Sequence, residues 1–142
     1  MSFGEKSTWI FAVIVVIVPG AYLVSMASQL QHTAVTEIAY QSPLLTAIGI
    51  AIAVAIVAHI AVVIASPREA DKSDERDADI NRYGEYVGSF VLWPGALVAL
   101  GLALAEFEHF WIANAIFLAF VLSGLISSAV KIVAYRRGFQ AW

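Results

Sequence analysis

Four long apolar runs, at residues 8–28, 44–66, 87–105 and 110–134, constrain this 142-residue chain more than any other feature. A helix needs about 20 predominantly apolar residues to cross a hydrocarbon core roughly 30 Å thick, at about 1.5 Å of rise per residue. Each run meets that length. With 61% of its residues hydrophobic, 13% charged and a mean hydropathy of +0.81, the composition argues against a water-soluble domain. The expected fold is all-α: a single membrane domain covering 1–142, built as an integral four-helix bundle. The first run exceeds the roughly 7–15 apolar residues of a secretory signal, so it reads as a true span.

The placement of charge orients these spans. Residues 67–86 hold 11 of the 19 charged residues, the first 66 residues hold three and the last 56 hold five. Lys6 precedes the first run, Arg68, Lys72, Arg76 and Arg82 lie between the second and third, and Lys131, Arg136 and Arg137 close the fourth. With four crossings these regions share one side, and basic residues collect on the cytoplasmic side. The expectation is a multi-pass protein of the cytoplasmic (inner) cell membrane, surrounded by the lipid bilayer, with both termini cytoplasmic.

Several function classes fall away. A net charge of −3 excludes a broadly basic nucleic-acid binder, and zero cysteines exclude disulfides, thiolate metal sites and thiol redox chemistry. The chain has no Ser/His/Asp arrangement of recognisable spacing, no His-Glu-x-x-His helix and no Gly-rich phosphate loop. The first run also lacks the embedded carboxylate of small drug/proton exchangers. No enzyme and no cofactor are expected.

Small residues recur at helical intervals. The second run carries Ala47, Ala51, Ala55, Ala58 and Ala65, with Gly49, Ala53 and Ala61 beside them. The third carries Ala96, Ala99 and Ala103, and the fourth Ala115, Ala119, Ser123 and Ser127 next to Gly124 and Ser128. Such stripes let helix backbones approach closely in lipid, within one bundle or against a second copy or another membrane subunit. Val16, Pro19, Gly20 and Ala21 are echoed 75 residues on by Val91, Pro94, Gly95 and Ala96. That echo predicts two parallel helical hairpins, with bends at both prolines.

In the charged segment Ser73 is a candidate N-cap, and Asp74 and Glu75 fall where the helix dipole favours anions. Arg76, Ile80, Tyr83 and Val87 follow at helical spacing, which predicts a helix running unbroken into the third span and extending it into the cytoplasm. Asp74, Glu75, Arg76, Asp77 and Arg82 are then candidate docking residues. Four basic against seven acidic residues do not make a polybasic lipid sensor. The run Asp74-Glu75-Arg76-Asp77, with Ile80 and Gly84 leading into a hydrophobic hairpin, resembles a family of small uncharacterised multi-pass membrane proteins of prokaryotes. The resemblance covers about a third of the chain and implies paired helices on either side of a cytoplasmic Asp-Glu-Arg loop, with no activity attached.

His59 lies inside the second span at the spacing of Ala51 and Ala55, which predicts that it shares their small-residue face. An intramembrane ionisable residue is a functional candidate, as proton relay or path lining, or else a neutral ring bonded to a neighbouring helix. On the outer side Glu106, Glu108 and His109 crowd a short turn, and His32 and Glu37 lie in a longer loop. Carboxylates with imidazoles suit zinc or manganese, but nothing in the sequence joins the loops, and no metal is assigned. Phe107, Phe110 and Trp111 read as an interfacial aromatic anchor.

The reading favours a non-enzymatic structural, regulatory or accessory membrane subunit, oligomeric or joined to other subunits, with a cytoplasmic helical docking surface. The alternative is a small transporter or channel with a path near His59, and a third is an outer-face metal-binding protein. A polar cavity reaching His59 would favour transport. A dry bundle with a free cytoplasmic helix would favour the accessory subunit.

Overall fold

The computed structural model describes residues 3–65 and 75–137. Among these described residues are five α-helices and a short 3₁₀ turn: α1 (Phe3–Leu30), the turn Val35–Glu37, α2 (Gln41–Ala65), α3 (Glu75–Ser89), α4 (Leu92–Leu104) and α5 (His109–Arg137). Helices α3 and α4 follow one another as a single interrupted span, so the protein is an all-α bundle of four spans, each long and apolar enough to cross a membrane. Ser73 and Asp74, the expected helix start, lie outside the described residues.

Helices α1 and α5 pack against each other and form the centre. Helix α2 packs mainly on α1, while α3 and α4 pack along successive halves of α5. This explains why α1 and α5 bury the most and α2 the least. Ala47 is buried and Ala51, Ala55 and Ala58 are half-buried. Gly49, Ala53 and Ala61 are exposed beside Ile48, Ile52 and Ile60, so half of the small-residue surface of α2 faces outward rather than into a seam.

The expected unbroken helix does not form. It is interrupted at Phe90–Val91, where the amides of both residues turn back to Val87 O and Gly88 O. The physical reason lies four residues on: Pro94 has no N–H to give Phe90, and its ring crowds that carbonyl. By contrast α1 runs through Pro19 without interruption. The two prolines of the 75-residue echo therefore act differently, and so do their glycines. Gly20 borders open space, whereas Gly95 sits so close to Ala119 that a methyl would overlap it.

The seam between α5 and the third span is built on glycine. A Cβ at Gly84 would collide with the stem of Lys131, and one at Gly88 would lie 2.8 Å from Ser123 O and 2.9 Å from Ser127 Cβ. Gly84 and Gly88 are four residues apart, as are Ser123, Ser127 and Lys131 opposite them, so one ridge of each helix meets the other. On its other side α5 turns Gly124 toward Val15 and Phe11 of α1.

The apolar core lies toward the end opposite the basic residues. Tyr22, Met26, Ile38, Ala47, Phe110, Phe117 and Val121 form one cluster. Tyr22 stacks edge-on against Phe117 and donates its hydroxyl proton to Asn114 Oδ1 at 2.9 Å, while Asn114 Nδ2 donates to Phe110 O at 2.8 Å. Tyr40 caps Phe110 edge-on. Phe110 is thus a core residue at 3% exposure, not part of an interfacial anchor; Trp111 and Phe107 remain exposed. The α4–α5 turn holds Glu106 at φ 56°, with Glu106 N donating to Ala103 O and Phe107 N to Leu102 O. This is the Schellman pattern with a glutamate where glycine is usual.

Candidate functional site

The main candidate site is a vestibule of about 470 Å³ at the end of the bundle that carries the basic residues. Lys131, on its wall, is 22 residues past His109, or about 33 Å along α5, which places it near the far boundary of a hydrocarbon core. Four helices contribute. Gly4, Ser7, Thr8 and Phe11 come from one face of α1; Asp77, Ala78, Asn81 and Glu85 from one face of α3; Ser128, Lys131 and Tyr135 from α5; and His59 from α2. The sets on α1, α3 and α5 follow helical three- and four-residue steps, so three helix faces border the space and His59 adds a fourth side.

Its centre is an ion pair. Lys131 Nζ donates to Glu85 Oε1 at 2.5 Å, and Ser127 Oγ donates to the same oxygen at 3.2 Å. The pair is asymmetric: the lysine side chain is 10% exposed and the glutamate 64%. Gly84 makes this possible, since the aliphatic stem of Lys131 lies flat where a larger residue's Cβ would be. At the rim, Tyr135 Oη and Asp77 Oδ2 both crowd the space left by Gly4, and Thr8 donates to Gly4 O at 2.8 Å. Arg136 stacks over the Trp9 ring at 5.3 Å, tying the end of α5 to the start of α1.

His59 is exposed and lines a crevice together with Ala55 and Ala58 of the small-residue face of α2. It stands at the edge of that face and, with Ser7 and Phe11, separates the vestibule from this narrower 140 Å³ space between α1 and α2. Of the docking candidates, Glu75, Arg76 and Arg82 are exposed, Asp77 is half-buried and turned to the vestibule, and Asp74 lies outside the described residues. Helix α3 does not stand free; Ile80 is fully buried, and Gly84 and Gly88 press on α5.

At the opposite end the tertiary structure does join the α1–α2 and α4–α5 loops. Val35, Thr36, Ile38, Tyr40 and Gln41 meet Glu108, His109 and Phe110 around a cavity of about 330 Å³. Among the described residues no three carboxylate or imidazole side chains gather as a metal-binding group. His32, Glu106, Glu108 and His109 thus do not come together in a group of three or more.

Glu85, Lys131, Asn81 and Tyr135 escape a reading that searches for motifs. A signal for two of them exists: Lys131 is a charge inside an otherwise apolar run, and Glu85 directly follows the glycine that admits it. No family model, curated protein or solved structure matches the chain.

Proposed function

We propose that the protein is a non-enzymatic solute transporter of the cytoplasmic membrane, with both termini inside and the vestibule as its inward-facing binding chamber. The single observation that carries this reading is a chamber that reaches His59 and contains an ion pair near the boundary of the hydrocarbon core. Charges at membrane depth are costly to place and mark functional paths. The Tyr22, Met26, Phe110, Phe117 and Val121 cluster separates the chamber from the outer cavity, as a structure open to one side at a time requires. The accessory-subunit reading retains the exposed Glu75, Arg76 and Arg82 of α3 as a partner surface.

The test is uptake of labelled small solutes, cationic, neutral and anionic, into proteoliposomes holding the full chain. Saturable uptake of one class, reduced by Asp77→Asn, supports transport. Folded protein that moves none of them, and that carries another membrane subunit along when purified from native membranes, returns the accessory reading.

A further inference from the structure

Two cavities at the basic end share one threshold. Ser7, Phe11 and His59 line both the 470 Å³ vestibule and the 140 Å³ crevice between α1 and α2. Beyond that threshold the crevice is walled by Ile10, Ile14, Ala55, Ala58 and Val62, all apolar. From Ser7 to Ile14 on α1, and from Val62 back to Ala55 on α2, it runs seven residues, or about 10 Å, away from the end that carries the basic residues. The vestibule lies near the boundary of the hydrocarbon core, so the crevice points into hydrocarbon. A chamber of hydrogen-bonding groups at the boundary, with a narrow apolar slot beneath it, has the shape and orientation of an amphiphile standing in a leaflet.

The charges of the vestibule are already engaged. Lys131 donates to Glu85, and Asp77, His59 and Tyr135 each have an interaction partner. A charged head would displace one of these groups and strand a charge near the hydrocarbon boundary, which is costly. A head of uncharged hydroxyls breaks no pair. The exposed Asn81 amide, the Ser7 hydroxyl and the carboxylate of Glu85, whose side chain is 64% exposed, can all hydrogen-bond it. The small volume of the crevice admits a single chain. We propose that vestibule and crevice together bind a neutral single-chain amphiphile of the monoacylglycerol kind, with its polyol head beside Asn81 and its acyl chain between α1 and α2. This rests on the transport reading and names its substrate class.

The test is photolabelling of the full chain in phosphatidylcholine nanodiscs by a 1-acylglycerol with a diazirine at the chain end, the labelled residues being mapped by mass spectrometry. Saturable labelling within residues 10–14 and 55–58, suppressed by excess 1-octanoylglycerol and not by glycerol, is expected. Octanoate and octylammonium should need about ten times the concentration, the cost of displacing one engaged charge. Ala58→Leu fills the crevice and should lower the labelling about tenfold, and Asn81→Leu should raise the octanoylglycerol needed about fivefold by removing hydrogen bonds to the head. Should Ala58→Leu fail to fold, Val62→Phe blocks the same space. Labelling that does not saturate, or that a folded crevice-filling variant leaves unchanged, shows ordinary bilayer contact and overturns the proposal. Octanoate or octylammonium competing as well as octanoylglycerol overturns the neutral head, and an unchanged Asn81→Leu overturns its placement. Saturable solute uptake by a chain whose crevice is not labelled overturns the amphiphile and leaves transport standing. A cysteine at Asn81 that resists a membrane-impermeant thiol reagent overturns the chamber, and both readings with it.

Discussion

Lys131 reaches Glu85 across Gly84, the residue just before the glutamate, which has no side chain: the lysine stem occupies the position a Cβ at 84 would take. Close helix packing and the placement of a charge are here the same event. The glycine lowers the α3–α5 distance, and the lysine, held flat, presents Nζ to the next residue of α3 at 2.5 Å.

Gly84→Ala is expected to destabilise the protein by about 1–3 kcal/mol, the usual cost of overpacking a closed seam. Gly20→Ala and Gly49→Ala are the controls, since nothing lies within 4 Å of a Cβ at either position. Both should be neutral or stabilising by up to about 1 kcal/mol, because alanine restricts the unfolded chain. Thermal unfolding in one detergent compares all three, and equal losses at 84 and 20 would contradict the seam.

The ion pair should respond unequally to loss of either partner. Glu85→Ala strands a buried ammonium and is expected to cost about 2–3 kcal/mol, whereas Lys131→Met leaves a carboxylate that is already largely exposed and should cost less than about 1 kcal/mol. The double variant should be no worse than Glu85→Ala alone. A double-mutant cycle on unfolding free energies measures this, and a larger loss for Lys131→Met would reverse the assignment of which charge is shielded.

Glu106 occupies the left-handed region at φ 56° where the α4–α5 turn closes. Glycine adopts that conformation without a Cβ clash, so Glu106→Gly is expected to stabilise by about 0.5–1 kcal/mol. A raised melting temperature is the readout, and a lowered one would show that the Glu106 side chain contributes more than its backbone costs.

The absence of cysteine makes the native chain a ready background for accessibility mapping. A cysteine placed at Asn81, which is exposed, should react with an impermeant thiol reagent from the side that carries Lys6 and Arg137. Cysteines at Met26 and Val121, in the apolar cluster, should stay unreactive from both sides. Reaction of Asn81→Cys only from the opposite side would invert the proposed orientation.

Much of the architecture was legible because hydrophobic length and charge position are properties of linear sequence. The four spans, the turn at 105–109 and the small-residue faces of the second and fourth runs follow from them. The stripe Ala119, Ser123 and Ser127 does line a helix seam, against Gly95 and Gly88. The break at Phe90–Val91 was less legible, since Pro94 predicts a bend but not whether the helix survives it, as Pro19 demonstrates. His59 stood out as a candidate, but the residues it borders across the vestibule did not.

The sequence by itself determined how many times the chain crosses and where its charges collect, because each span must satisfy its own backbone within lipid whatever its neighbours do. Only the tertiary structure decided which charges share a space. Glu85 and Lys131 lie 46 residues apart, and Asp77 and His59 belong to different helices. Their meeting depends on how α1, α2, α3 and α5 pack side by side, and that packing is set by small residues on four separate faces, whose pairing no single run of sequence contains.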